Sequence, residues 1–402
     1  MFDYIKIEGF RSFKSVELKL GPLSVLIGPN NGGKSNFVDL LMLLADAGNG
    51  QLSKGVLNKR GGFRDIAFGF DPSGDVRMEM VFKEALHRWK VALPVEGRDR
   101  KLDVRFKMVL RSFGSGAQVT EELVRQESAT QPSLSGDMVT RGPQGAVFRM
   151  SSESGALTDQ RTGVAPMELV ISHVKDPDKY PAASAVLREV GGWAFYRDID
   201  VGPESPIRQA AMIRSGFQLL PDGSNLSSVF HAIQQEHPDD WRDILELFET
   251  AYPDFLKLTL PADLADGRVI LRWWEKPFEK QGGLAANILS DGTLKLMCLV
   301  AILKNPRPPS LICIDEPELG LHPDWIKLVA ELLQEAACRT QVIVATHSPH
   351  IVAKLDPDQV IVVDKIDGES KMKRLEKADL EKWLKDFNLS ELWLAGHFGG
   401  RP

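Results

Sequence analysis

The stretch "GPNNGGKS", residues 28–35, constrains this chain more than any other feature. It has the spacing G-x-x-x-x-G-K-[ST], follows the apolar run "LSVLIG" and opens the helical "KSNFVDLLMLLADA". Glycines let a backbone wrap until its N–H groups converge on an anion, and the helix start adds the positive end of its dipole. Lys34 then supplies a point charge for the β- and γ-phosphates of a nucleotide, and the Ser35 hydroxyl a ligand for Mg²⁺. Strand, glycine loop and helix in this order predict an α/β fold organised around a phosphate site.

The chain is long enough, at 402 residues, for two or three domains or one domain with insertions. A net charge of −6 argues against a surface that binds nucleic acid everywhere, but a local basic stripe remains compatible with it. The three cysteines, Cys298, Cys313 and Cys338, sit in apolar settings without a CxxC pair, which predicts core thiols and no zinc site. "MFDYIKIEGF" lacks the charged start and apolar run of a signal peptide. "LMCLVAIL" is the longest apolar stretch, far short of the roughly 18–20 residues that span a bilayer. The expectation is a soluble, cytoplasmic protein without membrane contact.

Hydrophobic periodicity divides the chain. Ile5, Ile7, Val16, Leu18 and Leu20 share one face of two strands. Between about 75 and 150 the period is two, as in Val76, Met78, Met80 and Phe82, or Val104, Phe106, Met108 and Leu110. "EELVRQES" and "AVFRMSS" continue it across the polar linker "ATQPSLSGDMVTRGPQG", which predicts an inserted antiparallel meander. Trp241, Ile244, Leu245 and Phe248 form a helical stripe. "SLICI" and "QVIVA" flank the helical "PDWIKLVAELLQEAA", a βαβ pattern. The predicted domains are 1–75, a nucleotide-binding core; 76–187, the β insertion; 188–285, a strand and a helical subdomain; and 286–402, the other half of the core with a C-terminal helix.

Three further segments carry chemistry. "SLICIDEPELGLHP" ends a strand in Asp315, suited to holding the Mg²⁺ shell, beside Glu316, suited to orienting or deprotonating a water. "QVIVATHSP" ends a strand at His347, where an imidazole meets a γ-phosphate and reports its loss. "LSDGT", residues 289–293, begins the helical "LKLMCLVAIL" and makes a second anion seat at Ser290 and Gly292. His87, His173, His231 and His237 read as structural or merely exposed.

Taken in order, "FRSF", "GPNNGGKS", "LSDGT", "DEPELGLHP" and "ATHSP" resemble the ABC-type ATPase superfamily. More narrowly, they resemble its RecF/SMC/OLD-like branch, the group often labelled AAA_21-type ATPases, known from DNA repair and anti-phage defence. The resemblance implies a P-loop head: a mostly parallel sheet flanked by helices, an inserted antiparallel β subdomain and a helical subdomain. It implies ATP and Mg²⁺ as ligands, with Arg11, Ser12, Gly28, Asn30, Asn31, Gly32, Gly33, Lys34, Ser35 and Asn36 around the nucleotide. Asp315 joins Ser35 at the metal, and Glu316, His347 and Lys34 carry the catalysis. It also accounts for two anion seats, because in such ATPases the signature segment of one head closes on the ATP held by the P-loop of another. Glu318 to His322 falls where the D-loop crosses to the partner.

The chain departs from the family in three respects. The signature is LSDGT where transporters have LSGGQ. "FYRDIDVGPESPIRQ" occupies the place of the Q-loop without a clear glutamine, leaving Asp198, Asp200 or, more weakly, Gln209. No coiled coil is long enough for a ring, and about 55 residues after His347 are too few for a TOPRIM nuclease. "VVDKIDGE" reads as a surface turn.

Basic residues gather at Arg88, Lys90, Arg98, Arg100, Lys101, Arg105, Lys107 and Arg111, either to track DNA phosphates or as a solvated face balanced by Glu96, Asp99 and Asp103. "KMKRLEKADLEKWLK" reads as an amphipathic helix with Leu380, Trp383, Leu384 and Phe387 inward. The expectation is a homodimer or higher homo-oligomer that hydrolyses ATP and switches a DNA-directed activity, its effector, such as a nuclease, being a separate chain. The alternatives are a membrane transporter's nucleotide-binding subunit and a sensor scaffold with little turnover.

Overall fold

The N-terminal alternation forms β1 (Phe2–Phe10) and β2 (Phe13–Lys19), paired antiparallel with Ile5 opposite Leu18 and Ile7 opposite Val16. All four are buried, so the apolar face seen in the sequence is the packed one. The computed structural model describes residues 1–88, 102–128, 135–151, 157–263 and 265–400. Two units result: Met1–Trp193 with Ile361–Glu376 and Phe398–Pro402, and Ala194–Val360 with Lys377–His397.

In the first unit β3 (Leu23–Ile27) is buried at every position and leads through the glycine loop into α1 (Lys34–Gly48). The meander follows as β4 (Val76–Phe82), β5 (Asp103–Phe113), β6 (Gly116–Glu127), β7 (Gly136–Gly142), β8 (Gly145–Ser151) and β9 (Leu157–Thr162). Its strands do not make a separate sheet. β4 pairs with β1, so the order β2-β1-β4-β5-β6-β7-β8-β9 extends the N-terminal hairpin. Part of the expected polar linker is itself strand β7. Val139 is that strand's one fully buried residue, too weak an alternation to read from sequence.

The inner end of α1 is tied by charge. Asp39 accepts from Arg11 Nη2 at 2.9 Å and from Arg60 Nε at 3.0 Å. Arg60 closes the helix Leu52–Arg60, and its guanidinium also donates to Asp46 and to the Gly55 carbonyl. Removing one partner of such a buried set costs about 3–5 kcal/mol, because the rest is left uncompensated.

The second unit contains β10 (Ala194–Tyr196) and the strands Leu311–Asp315 and Gln341–Ala345, all parallel, with Tyr196 opposite Ile314 and Asp315 opposite Ala345. Helix Pro323–Ala337 makes the crossover that parallel neighbours need. Helices Leu226–Glu236 and Pro238–Ala251 supply the expected helical part, where Phe230 meets Trp241 and Phe248, and Phe248 meets Trp273 edge-on. Trp241, Ile244 and Phe248 of the predicted stripe are buried, and Leu245 lies half-buried at its margin.

Two expectations are corrected. Cys338 is exposed, since it caps the C-terminus of helix Pro323–Ala337 beyond its apolar stripe. Cys298 and Cys313 are core thiols; burial pushes the former up to about 12 and raises the latter too. The amphipathic helix over 371–385 does not form. Glu369–Arg374 is a strand paired with Val360–Ile366, and helix Lys377–Leu380 is only one turn long. Leu380 is buried as expected, but Trp383 and Phe387 are 46% and 47% exposed and face each other at 6.5 Å.

Within the β sheet, Glu122 is buried and accepts N–H bonds from Val170 at 2.6 Å and Ile171 at 2.9 Å. Burial raises its carboxyl to about 7, against those two bonds and the nearby Arg141. A carboxyl raised in the folded state holds its proton there while the unfolded chain releases it. Stability should therefore fall as pH rises from the unfolded value near 4.5 to about 7, by at most about 1.4 kcal/mol per pH unit. Urea unfolding of Glu122→Gln should lose this slope, and an unchanged slope would remove Glu122 as its source.

Candidate nucleotide site

The phosphate loop is shaped by its own carbonyls. Lys34 Nζ donates to the Gly28 carbonyl at 2.8 Å and to that of Pro29 at 3.1 Å, and Gly32 N–H also donates to Pro29. With carbonyls turned inward, the opposite side of the loop is left to N–H groups. Asn30, Asn31 and Ser35 are exposed there, with the Ser35 hydroxyl in the first turn of α1. Two glycines are obligatory. At Gly28 (φ 152°) a Cβ would fall on the Val363 carbonyl oxygen, and at Gly33 (φ 122°) on Ser370 Oγ.

Arg11 and Ser12 join the same site. Asn36 Nδ2 donates to Ser12 Oγ at 2.7 Å, and Arg11 Nη1 reaches Asn36 Oδ1 at 3.3 Å. Ser12 Oγ lies 2.7 Å from Ser370 Oγ, which is 2.5 Å from the Gly32 carbonyl. A hydroxyl has one proton, so these distances suit a relay from Asn36 through both serines to the loop. Arg11 adopts the left-handed φ of 46°, a strained choice for a side chain of its size. It lines a cleft of about 680 Å³ with Asn31, Asn36, Lys59, Phe70 and Lys365.

Ser370 was missed by sequence reasoning, where "VVDKIDGE" appeared as a turn. The segment is the hairpin Val360–Ile366 and Glu369–Arg374, turning at Asp367 and Gly368, and its second strand begins by bracing the loop.

In the second unit Asp315 ends its strand with Oδ2 3.5 Å from Arg197 Nε. Glu316 follows with φ 49° and donates its N–H to the Ala345 carbonyl at 2.8 Å. Glu318 Oε1 accepts from Thr346 Oγ1 at 2.7 Å and from His347 N at 2.8 Å. Its Oε2 is buried without a hydrogen-bond partner, and burial raises the carboxyl above its ordinary range. Glu318 thus fixes the backbone that carries His347, a role not visible in the sequence.

Ser290 is the N-cap of helix Asp291–Leu303. Its Oγ accepts from Thr293 N at 3.1 Å and lies 2.8 Å from Thr293 Oγ1. A Cβ on Gly292 would approach the Gly320 carbonyl at 2.9 Å, so the LSDGT glycine is required by close packing. Ile288 and Leu319 beside them are 65% and 56% exposed. Asp198 is exposed. Asp200 accepts from Gly202 N–H through its side chain and from the Ser205 hydroxyl through its carbonyl, so it closes a turn, and Gln209 C-caps the 3-10 turn Pro206–Arg208.

Of the basic run, Arg88 pairs with Glu189, Arg105 with Glu79 and Glu127, Lys107 with Glu121, and Arg111 with Asp75. This is the balanced, solvated face. Lys90, Arg98, Arg100 and Lys101 lie outside the described residues, as do their expected partners Glu96 and Asp99.

The residues fit a magnesium nucleotide. The glycines leave room only for backbone at the loop, and the Ser35 hydroxyl is open. Among the described residues no group of three or more His, Cys, Asp or Glu side chains is placed to hold a metal on its own, and no helix is long and apolar enough to cross a membrane. Ser370→Ala should leave the Gly32 carbonyl unsatisfied, cost about 1–3 kcal/mol and weaken ATP binding. Calorimetric titration beside a thermal melt checks this, and unchanged affinity would mean that Ser370 does not support the loop.

Residues 236–353 match a family model described as "AAA domain, putative AbiEii toxin, Type IV TA system", and residues 1–130 match one described as "AAA ATPase domain". A retron Vc95 probable ATPase of Vibrio cholerae serotype O1 biovar El Tor is 29% identical over 86 residues, covering 21% of this chain and 17% of that one. A putative ABC transporter ATP-binding protein of Methanosarcina acetivorans is 31% identical over 102 residues, 25% of this chain and 34% of the relative. The chain thus spans about a sixth and about a third of the lengths of these two relatives. In fold, the chain is similar to an SMC head bound to the C-winged helix domain of ScpA (TM-score 0.57, 16% identity, 95% of this chain and 99% of that one). It is also similar to an SMC head with an extended coiled coil bound to a ScpA domain from Pyrococcus furiosus (TM-score 0.55, 15% identity, 96% and 98%). The chain thus has the fold of an SMC head, a P-loop ABC-type head, and matches an ATPase-domain model toward each end, which together support an ABC-type ATPase of the RecF/SMC-like kind.

Proposed function

We propose that this chain hydrolyses ATP at sites shared between two copies arranged head to tail, and that the cycle of closure and opening switches a DNA-directed activity of a separate effector, such as a nuclease, in defence or repair. The observation that carries the shared site is the exposure of Ile288, two residues before Ser290, and of Leu319, next to the Gly320 that packs on Gly292. Two large apolar side chains open to water beside such a seat suit a face that a second copy covers.

On this reading Lys34 and the loop amides bind the β- and γ-phosphates, and Arg11, Ser12 and Asn36 lie along the nucleotide. Ser35 and Asp315 are the residues for Mg²⁺, which when bound neutralises charge between the β- and γ-phosphates. Glu316 orients the attacking water and takes its proton. His347, fixed through Glu318, contacts the γ-phosphate. The Ser290 hydroxyl already caps its own helix, so the amides around Gly292 do most of the anion binding for the partner's ATP.

The defence reading draws on the retron ATPase similarity and on the AbiEii description of the matched model. DNA contact belongs with the effector, because Arg88, Arg105, Lys107 and Arg111, the described members of the basic run, are each ion-paired. A transporter subunit remains the runner-up, through the Methanosarcina relative. Co-purification with a membrane permease would favour it, and co-purification with a nuclease whose activity follows the ATP state would favour the effector reading.

Three variants test the site. Lys34→Ala should abolish ATP binding, and undiminished binding would overturn the loop assignment. Glu316→Gln should accumulate an ATP-dependent dimer on size-exclusion chromatography, and fast turnover would remove Glu316 from its role. Mixed with Lys34→Ala subunits, Ser290→Arg should regain about one working site per mixed dimer, and no recovery would sink site sharing.

A further inference from the structure

Arg208 closes the short turn Pro206–Arg208, in the stretch that follows β10, and is only 8% exposed. Its five N–H groups are spent on two chain segments. On its own segment, Nε donates to the Val201 and Gly202 carbonyls at 3.0 and 2.9 Å, and Nη2 to Val201 at 2.8 Å. On the other, Nη1 donates to the carbonyls of Ala286 at 3.1 Å and Leu289 at 2.8 Å, and Nη2 to Asp291 Oδ1 at 2.5 Å. The second set brackets Ser290 on both sides.

A planar fork that satisfies carbonyls on two segments sets their separation, which the single point charge of a lysine does not do. The pairing with Asp291 has a further effect. Asp291 stands on the first turn of a helix whose N-terminus is an anion seat, where a free carboxylate would repel an incoming phosphate. The guanidinium draws that carboxylate into a charge-paired bond. At the other end of the same stretch, Arg197 lies 3.5 Å from Asp315, so residues 197–208 run from a metal-site acid to the signature segment.

We infer that Arg208 is a positioning residue for the signature segment, holding residues 286–291 and neutralising Asp291 so that the Ser290–Gly292 amides accept the γ-phosphate of a partner copy's ATP. This assignment rests on the shared-site reading and deepens it. The N–H groups of Arg208 go to protein atoms, and its influence is exerted on the partner's site rather than on its own chain's nucleotide.

Arg208→Lys keeps the charge and loses the fork. As a homodimer it should lose about tenfold or more in kcat while its ATP dissociation constant stays within about twofold. Mixed with Lys34→Ala subunits it should regain activity to the level of the Ser290→Arg and Lys34→Ala mixture, since the intact signature then faces the intact P-loop. Asp291→Asn, whose side chain is 66% exposed, removes the carboxylate that Arg208 neutralises; introduced into Arg208→Lys it should restore part of the lost kcat, and no restoration would overturn the neutralising role. Recovery in the Ser290 mixture but not in the Arg208 mixture overturns the positioning role and leaves site sharing intact. Failure of both mixtures overturns site sharing and the assignment with it, and a wild-type kcat in Arg208→Lys overturns the assignment alone.

Discussion

A loop that offers N–H groups to phosphate must satisfy its own carbonyls on the opposite side. Here Lys34 takes those of Gly28 and Pro29, and Ser370 takes that of Gly32. The requirement reaches far along the chain. The hairpin Val360–Ile366 and Glu369–Arg374 supplies both the Val363 carbonyl that excludes a side chain at Gly28 and the serine that excludes one at Gly33. The glycines are therefore demanded by a strand more than 300 residues downstream as well as by phosphate.

What was legible in the sequence was local. "LSVLIG", "SLICI" and "QVIVA" are buried on both faces and read as apolar runs, so their strands and the loops that follow them were found. The meander was found through its period of two, except β7, which has little to bury. The helix expected over 371–385 failed because its first residues pair as the strand Glu369–Arg374, and the rest forms only the single turn Lys377–Leu380 and the 3-10 turn Trp383–Lys385. Ser370 and Arg208 left no mark for a different reason. Their partners are backbone carbonyls, and a carbonyl looks the same at every position.

The acid-rich stretch after the Leu311–Asp315 strand is spelled by geometry as much as by chemistry. Glu316 turns the chain through a left-handed φ, and its N–H stays on the Ala345 carbonyl. Glu318 then meets Thr346 and His347, so two carboxylates two residues apart do separate work, one open to chemistry and one capping a backbone. Burial raises the Glu318 carboxyl above its ordinary range, and no donor meets its Oε2.

The same logic explains why an acid is tolerated in LSDGT. A helix N-terminus stabilises a negative charge by about 0.3–1 kcal/mol, whether the charge is Asp291 or a phosphate, so the two compete for one field. Arg208 removes Asp291 from that competition by holding it to the side at 2.5 Å, while Ser290 keeps to its capping bond with Thr293. The seat that remains consists of amides with no side-chain charge of their own. Its affinity for phosphate thus depends on a guanidinium anchored 83 residues earlier, which gives the stretch after β10 a direct hold on the signature.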